Sequence, residues 1–270
     1  YYSPQTISVI TNQLDEKVKE YHSRKITKEY AVVYADSTYI SVKRGTVGKE
    51  ALHILIGITI SGEKEILSYE LFPTESPENY KDMLEDLKKR GLNRVLLFVT
   101  DGLKGIKEKL EEAFPKAKYQ TCWTHVIRNV LLKVRSKDKT EISEDLKAVY
   151  QASAKDEAEK NLALFIDKYK EKYPKVTNSL LDIRDCLFTY YLFPKSIRRS
   201  IYTTNIIENY NKHLKKGIKK KEQFPNEQSL NRYVCVSACE YNVKYAGISH
   251  YGFSIAKEEL ENMIEEIYIN

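Results

Sequence analysis

The apolar and polar positions divide the chain into an extended first part and a mostly helical second part. Residues 30–71 carry short runs rich in valine, isoleucine and tyrosine, which predict three successive antiparallel strands. The Ser61-Gly62 pair predicts the turn between the second and third of them. A further run, residues 95–99, is entirely apolar and is soon followed by Asp101. Such a run predicts a strand buried on both faces.

Helical spacing predicts one amphipathic helix between the third strand and this buried strand. Ser76 is placed to cap its N-terminus, Pro77 to fill its first position, and Gly91 follows its last turn. Its predicted buried stripe consists of Tyr80, Met83, Leu84 and Leu87. After Asp101 the pattern predicts a helix, a short strand and another helix, at residues 104–114, 118–121 and 123–134.

The order of these elements is three antiparallel strands, helix, strand, helix, strand and helix. That is the order of the ribonuclease-H-like fold, an α/β architecture in which helices flank a mixed five-stranded sheet. Residues 136–200 interrupt the alternation and contain no strand candidate. Helical spacing there predicts an all-helical insertion with these apolar positions: Leu146, Val149, Tyr150, Leu162, Leu164, Phe165 and Tyr169.

We therefore expect four segments along the chain. They are a helical lead-in at 1–29, the first part of the core at 30–135, the insertion at 136–200, and a segment at 201–270 that completes the core. The chain begins with tyrosine rather than methionine, which favours a fragment or a processed form.

Composition adds modest limits to this outline. Lysine and arginine exceed aspartate and glutamate by 44 to 38, a net charge of +6 that is compatible with a nucleic-acid partner. No run approaches the roughly 18 apolar residues that a membrane helix requires. Four cysteines without framework spacing favour a reducing cytosol. We expect a cytoplasmic protein with no membrane partner.

Three acidic residues interrupt apolar surroundings and are candidates for one shared site. Asp36 ends the stretch YAVVYA, Asp101 ends VLLFVT, and Glu208 follows two isoleucines. Three such carboxylates brought together could hold two divalent cations roughly 4 Å apart. Magnesium prefers carboxylate oxygen and retains several waters, so it suits such a site.

Each acid also has a purely structural explanation. An aspartate at a strand end is commonly a turn former or a helix cap. Glu208 would complete a capping box if Asn205 were the N-cap, and it precedes Lys212 by four residues, a favourable helical pair. The residues alone leave both interpretations open.

The helix that begins near Glu208 is strongly basic. Glu208, Lys212, Lys215 and Lys219 share one face, whereas Tyr210, Leu214 and Ile218 share another that would pack on the core. A basic stripe beside metal-binding carboxylates is suited to a phosphodiester backbone, although a solvated charged face is the simpler alternative. The candidate DNA contacts are Arg44, Lys104, Arg128, Lys212, Lys215, Lys216, Lys219 and Lys220.

Three strings of the sequence resemble the Mutator-type insertion-sequence transposases of prokaryotes. They are YADSTYISVKR, TDGLKGIKEKLEEAFPKAKYQTCWTHVIRN and RRSIYTTNIIENYNKHLKK, and the resemblance extends in order from residue 1 to about residue 235. It implies a ribonuclease-H-like core with an Asp-Asp-Glu triad and a helical insertion before the glutamate. By motif the triad falls on Asp36, Asp101 and Glu208.

The resemblance also implies an activity and its partners. Two Mg²⁺ ions, or Mn²⁺ in their place, would assist cleavage at the ends of the element and transfer of the freed 3′-hydroxyl into target DNA. The implied partners are double-stranded DNA, both terminal inverted repeats and target, and further copies of the chain in a homo-oligomer. A truncated DNA-binding remnant without catalysis, and a nuclease that only hydrolyses, are the alternatives. Relatives usually carry a longer N-terminal DNA-binding region, of which residues 1–29 would be a remnant.

The family pattern further implies a Cys-x-x-His pair, here Cys122 and His125. On its residues the pair could be half of a zinc site, or could have a local role in packing and hydrogen bonding. A second half is not evident, because Cys235 and Cys239 are four residues apart on a predicted apolar helix and are expected to pack in the protein core. We favour the local role.

Overall fold

The computed structural model describes residues 3–44, 46–219 and 224–269, and its centre is one five-stranded sheet. The strands are β1 (Tyr30–Arg44), β2 (Thr46–Thr59), β3 (Lys64–Phe72), β4 (Val95–Thr100) and β5 (Lys118–Thr121). Their order is β3-β2-β1-β4-β5; β1, β2 and β3 pair antiparallel, whereas β4 pairs parallel with β1 and β5. This topology confirms the predicted ribonuclease-H-like fold.

Helices cover both faces of the sheet. They are α1 (Pro4–Ser23), α2 (Pro77–Lys89), α3 (Ile106–Ala113), α4 (Trp123–Leu132), α5 (Lys139–Tyr150), α6 (Lys155–Tyr169), α7 (Pro174–Asp182), α8 (Lys195–Ile201), α9 (Asn205–Lys219), α10 (Glu227–Tyr245) and α11 (Phe253–Tyr268). The buried side chains of α2 and α3 form one core with alternate positions of β1 and β4. The other positions of these strands face a larger core built with α4, α9, α10 and α11. Within the described ranges, no helix combines the length and apolarity needed to cross a membrane.

The first hairpin is longer than the sequence pattern predicted. β1 continues through Asp36 to Arg44, and Asp36 is paired with Ile54 in β2 rather than ending a strand. β2 likewise begins at Thr46, seven residues before the isoleucine- and leucine-rich stretch that starts at His53. The mixed polar sequence of this extension is explained by its place, because β1 pairs with β4 only up to Ala35 and then extends beyond it.

Helix α2 follows its sequence prediction closely. The Ser76 side chain caps it by accepting a hydrogen bond from the Asn79 backbone N–H, and Pro77 is its first residue. All four residues of the predicted stripe are buried, and Met83, Leu84 and Leu87 each contribute about 1.5–3 kcal/mol relative to an exposed position. Gly91 has φ +110°, a left-handed conformation that favours glycine, where the chain leaves the helix.

The stretch between residues 136 and 200 contains helices and short 3₁₀ turns but no strand. Its predicted apolar positions pack in the larger core, except that Leu164 is 60% exposed. Leu164 follows Leu162 by two residues, and this separation turns its side chain about 200° around the helix. Leu164 therefore lies on the solvent-facing side of α6.

The predicted core role of the two late cysteines was half right. Cys235 is buried in α10, whereas Cys239 is exposed. Helix α1 packs against this helix, and Arg232 donates two hydrogen bonds of 2.7 Å to the Asp15 carboxylate. The lead-in helix is thus attached to the body of the molecule.

Candidate active site

The sheet register brings the first two acidic residues together. β1 and β4 run parallel, and their last paired positions are Ala35 and Thr100. The residues that follow are Asp36 and Asp101, so both acids lie at the edge where β4 ends and β1 continues beside β2 alone. Paired strands lie about 4.8 Å apart, which sets the scale of the backbone separation there. Asp36 is only 7% exposed.

Helix α9 brings the third acidic residue to this edge. It packs on β1 through Ile207, Tyr210, Leu214 and Ile218, which confirms the predicted buried face. Glu208 lies next to that face, with 15% of its side chain exposed.

Asn211 connects α9 directly to the sheet. It lies three residues after Glu208, and its Nδ2 donates a hydrogen bond of 2.9 Å to Oδ2 of Asp36. The amide is buried, and its Oδ1 has no partner among the described residues. Sequence analysis missed this residue, although the spacing Glu-x-x-Asn on a helix with a buried face was an available signal.

The predicted capping box at the start of α9 was wrong. The helix begins at Asn205, and the Glu208 N–H donates to the Thr204 carbonyl at 2.9 Å, so Thr204 is the residue that precedes the helix. The Glu208 side chain turns to α4 instead of to Lys212. Its Oε1 lies 3.4 Å from Nη2 of Arg128 and 3.6 Å from Nε2 of His125.

The Cys-x-x-His pair has a local structural role here. Cys122 Sγ accepts a hydrogen bond of 3.2 Å from the Thr204 backbone N–H. The Thr204 hydroxyl lies 3.2 Å from the same sulfur and 3.3 Å from Nδ1 of His125. Since the other nitrogen of His125 faces Glu208, this chain of contacts fixes the start of α9 relative to α4. Burial also raises the pKa of the Cys122 thiol, which disfavours the thiolate that zinc requires.

The electrostatics of the site are dominated by buried negative charge. Burial, followed by the charge of Asp101 and then that of Glu208, raises the pKa of Asp36 to about 7 against a backbone hydrogen bond from Ser37. Burial also raises the pKa of Asp101, although the Leu103 N–H opposes it with a hydrogen bond of 3.1 Å to Oδ1. The pKa of His125 is lowered, mainly by burial and then by Arg128.

The donor set fits a hard divalent cation in chemistry and in charge. Its ligands would be carboxylate oxygens, and the crowded acids are what a cation would neutralise. In the described ranges, however, no three acidic, histidine or cysteine side chains are arranged to hold a metal together as they stand. Asp36 is bonded to Asn211 and Glu208 is turned to α4. Metal binding would therefore require side-chain rotation on a backbone that already juxtaposes these positions.

The predicted basic residues of α9 are solvent-facing. Four lysines on the outer side of the helix are exposed: Lys212, Lys215, Lys216 and Lys219. Lys104 and Arg128 are also exposed; Lys104 follows Asp101 by three residues, and Arg128 lies 3.4 Å from Glu208. Arg44 is the last residue of β1, but its side chain lies outside the described part, as does all of Lys220.

Residues 1–246 match the family model described as transposase, Mutator family. The chain belongs to the Mutator family of transposases. It is 41% identical over 265 residues to the transposase of insertion sequence element IS905 from Lactococcus lactis subsp. lactis, covering 98% of this chain and 68% of that protein. It is 39% identical to the IS1201 transposase from Lactobacillus helveticus, covering 89% of this chain and 65% of that protein.

A more distant relative is the transposase of IS256 in transposon Tn4001 from Staphylococcus aureus, 30% identical, with coverage of 84% of this chain and 59% of the relative. This Mutator family chain thus spans 59% to 68% of the length of these proteins. Among solved structures it overlaps with a Drosophila P element transposase strand transfer complex at 11% identity and a TM-score of 0.34, covering 97% of this chain and 78% of that one. The catalytic domain of Mos1 mariner transposase gives 15% identity and a TM-score of 0.24, covering 66% and 95%. Overlap this loose supports no argument about the site.

Proposed function

We propose that this Mutator family chain is the catalytic part of a metal-dependent DNA transposase of the Asp-Asp-Glu type. Asp36, Asp101 and Glu208 would hold two Mg²⁺ ions, with Mn²⁺ as a substitute. The observation that carries the proposal is the register between β1 and β4. Their last paired positions are Ala35 and Thr100, so the next residues, Asp36 and Asp101, are neighbours. The Asn211–Asp36 hydrogen bond then ties the helix of the third acid to the same edge.

Each part of the site has a separate task in this proposal. Bound divalent cations would supply Lewis acidity, which activates water or a 3′-hydroxyl and offsets charge on the leaving oxygen. Asp36 and Asp101 provide fixed anionic oxygen on the sheet, and Asn211 orients Asp36 through its amide. His125 and Arg128 keep Glu208 close to the edge, and the guanidinium of Arg128 offsets part of its charge.

The exposed lysines of α9 are proposed to hold the DNA backbone. Lys212, Lys215, Lys216 and Lys219 lie on the helix that carries Glu208, so phosphates bound to them would lie next to the acids. Such contacts position DNA without reading its bases. Element ends and target DNA are the proposed partners, with a homo-oligomer as the assembly. We also propose residues 136–200 as an insertion in the core, which 201–270 complete.

Cleavage by the Asp101→Asn variant tests the assignment. Purified chain is incubated with Mg²⁺ or Mn²⁺ and a labelled duplex carrying the inverted repeats that flank its gene, and cleaved and joined products are separated on a gel. Asparagine keeps the size and loses the anionic ligand, so we expect both products to disappear while non-specific DNA binding persists. Asp82→Asn, an exposed change on α2, is the matched control and should retain activity.

The same assay distinguishes the alternatives. Cleavage without joined products would indicate a nuclease that only hydrolyses. DNA binding with neither product in the parent chain would indicate a non-catalytic remnant. Full activity of Asp101→Asn would refute the triad itself.

A further inference from the structure

A fourth carboxylate lies at the acidic edge, and no motif pointed to it. Glu75 is in the loop between β3 and α2, directly before the capping residue Ser76. The Ser37 hydroxyl donates a hydrogen bond of 2.7 Å to Oε1 of Glu75. Ser37 follows Asp36 in β1, so this bond attaches Glu75 to the strand that carries the first acid.

Glu75 approaches the edge from the face opposite to α9. Side chains alternate along β1, so Ser37 lies on the side of Ala35, which packs in the core with α2. Asp36 lies on the side of Tyr34, which packs in the core with α9. The edge is therefore flanked by Glu208 on one side and by Glu75 on the other.

The electrostatic field of the site includes Glu75. Its charge is among the causes that raise the pKa of Asp36, after burial and the other two acids. Burial is the main cause that raises the pKa of Glu75 itself. The charge of Asp101 adds to this rise, while the Ser37 hydrogen bond and His125 oppose it. Negative charge on Glu75 and negative charge on Asp36 are therefore mutually unfavourable, as expected for carboxylates that share one partly buried region.

A buried hydroxyl without a partner points into the same place. Tyr80 is 1% exposed, and its oxygen makes no hydrogen bond of good geometry within the described residues, although Glu75 is near enough to affect it. The charged side chains around it are Asp101, Glu75 and Asp36. The Tyr80 hydroxyl is thus a buried polar group beside Glu75, and it could form a hydrogen bond with Glu75 itself or with a water that accompanies a bound cation.

We propose that Glu75 is a fourth carboxylate ligand, which binds a divalent cation together with Asp36 and Asp101 from the α2 side. This inference rests on the proposed function, because it assigns a further ligand to the same metal site. The competing explanation is structural: Glu75 would serve only to fix the loop to β1 through Ser37. The two explanations differ in whether the negative charge of Glu75 matters, since a neutral amide can also accept from Ser37.

The test measures the affinity of the full chain for Mn²⁺ without DNA. Binding is monitored by titration calorimetry and by the electron paramagnetic resonance signal of free Mn²⁺. Glu75→Gln keeps the size and the acceptor for Ser37 but removes the charge. We expect its Mn²⁺ affinity to fall by about 10- to 100-fold. Glu78→Gln is the matched control: it is an exposed glutamate in the first turn of α2, paired with Lys109 at 2.9 Å, and should bind like the parent.

Ser37→Ala adds a second comparison, because it removes the hydrogen bond to Glu75 and leaves the negative charge of Glu75 in place. We expect a loss smaller than that of Glu75→Gln, since the ligand is retained but less well oriented. Thermal melts without metal check that each variant is folded. Parental affinity and stoichiometry in Glu75→Gln would overturn the inference, as would a loss in Glu75→Gln accompanied by an equal loss in Glu78→Gln.

Asp101→Asn separates this inference from the proposed function. If Asp101→Asn loses Mn²⁺ binding and Glu75→Gln does not, only the fourth ligand is refuted. If neither variant changes binding, or if the parent chain binds no Mn²⁺, the metal site itself is refuted. Loss in both, with the control unchanged, supports both.

Discussion

The acids on the sheet and the acid on α9 are held in different ways. Asp36, which is buried, and Asp101, which is half-buried, lie where the pairing of β1 with β4 ends, and burial is the largest cause that raises the pKa of each. Asp36 has the uncharged amide of Asn211 as its side-chain partner. Glu208 instead lies beside two side chains of α4, the guanidinium of Arg128 at 3.4 Å and the imidazole of His125 at 3.6 Å.

This contrast separates a fixed half of the site from an adjustable half. The sheet positions are determined by strand pairing, and the negative charge there lacks a cationic partner among the described residues. Glu208 on α9 is already paired with Arg128. To exchange this guanidinium for a metal ion, its side chain needs only to rotate. We therefore expect changes on the sheet to have larger effects than changes around Glu208.

The largest effect is expected for Asp36→Asn in metal-free buffer. The folded pKa of about 7 exceeds the ordinary value of 3.8, so the folded chain retains this proton longer than the unfolded chain does. The free energy of unfolding of the parent should therefore fall as pH rises from about 4 to 7, by up to about 4 kcal/mol. Asp36→Asn should lack this decline and be the more stable protein at pH 8, while losing metal-dependent cleavage.

Chemical denaturation of both proteins from pH 4 to pH 8 measures that difference. Subtracting the two curves removes the contributions of other groups, including His53, His125 and His250, whose lowered pKa values act in the opposite direction. If the free energies of unfolding of the two proteins changed in parallel with pH, the pKa of Asp36 would not be raised in the folded chain.

The second-largest effect is expected when the hydrogen bond between Asn211 on α9 and Asp36 on the sheet is removed. Asn211→Ala leaves the buried Asp36 carboxylate without its amide donor and loosens α9 from the sheet, which should cost about 1–3 kcal/mol of stability. Cleavage should fall by about 10- to 100-fold as the acids lose their relative orientation. Denaturation and the gel assay measure both, with the exposed neighbour Asn209→Ala as control. Equal behaviour of the two variants would contradict a positioning role.

A third prediction concerns the basic face of α9. Replacing Lys212, Lys215 and Lys219 by alanine should weaken DNA binding at all sequences. For every phosphate that no longer has a lysine partner, the slope of log affinity against log salt should decrease by about one. Fluorescence anisotropy at several salt concentrations measures the slope, and Lys155→Ala on α6 is an exposed control. Mn²⁺ affinity should be unchanged in the triple variant, whereas an unchanged slope would place the DNA elsewhere.

The smallest effect is expected at Arg128. Its guanidinium is half exposed and lies 3.4 Å from Glu208, and ion pairs of this kind contribute about 0–1 kcal/mol. Arg128→Ala should thus change cleavage by no more than about fivefold. His125→Ala should do more harm, because it also removes the contact with Thr204 at the start of α9. Cleavage rates of the two variants decide the order, and a larger loss from Arg128→Ala would reverse our view of how Glu208 is held.

Local patterns predicted local structure well in this chain. Ser76, Pro77 and the stripe from Tyr80 to Leu87 lie within one segment, and each acts through neighbours three or four residues away. The strand at 118–121 was predicted with its observed limits for the same reason. Asp36 and Asn205 were misjudged because the end of a strand or helix depends on what pairs with it. β1 continues past Asp36 because it pairs with β2 there. Helix α9 is preceded by Thr204 rather than Asn205, and the Thr204 backbone is hydrogen-bonded to Cys122.

The sequence by itself determined the order of the elements, the buried faces of α2 and α9, and three acids in apolar settings. Only the tertiary structure decided that Ala35 pairs with Thr100, that Asn211 bonds Asp36, and that Glu75 reaches Ser37. The physical reason is one of range. Helix caps and apolar periodicity follow from contacts within a few residues, whereas these pairings join positions 38 to 175 residues apart through the packing of the whole core.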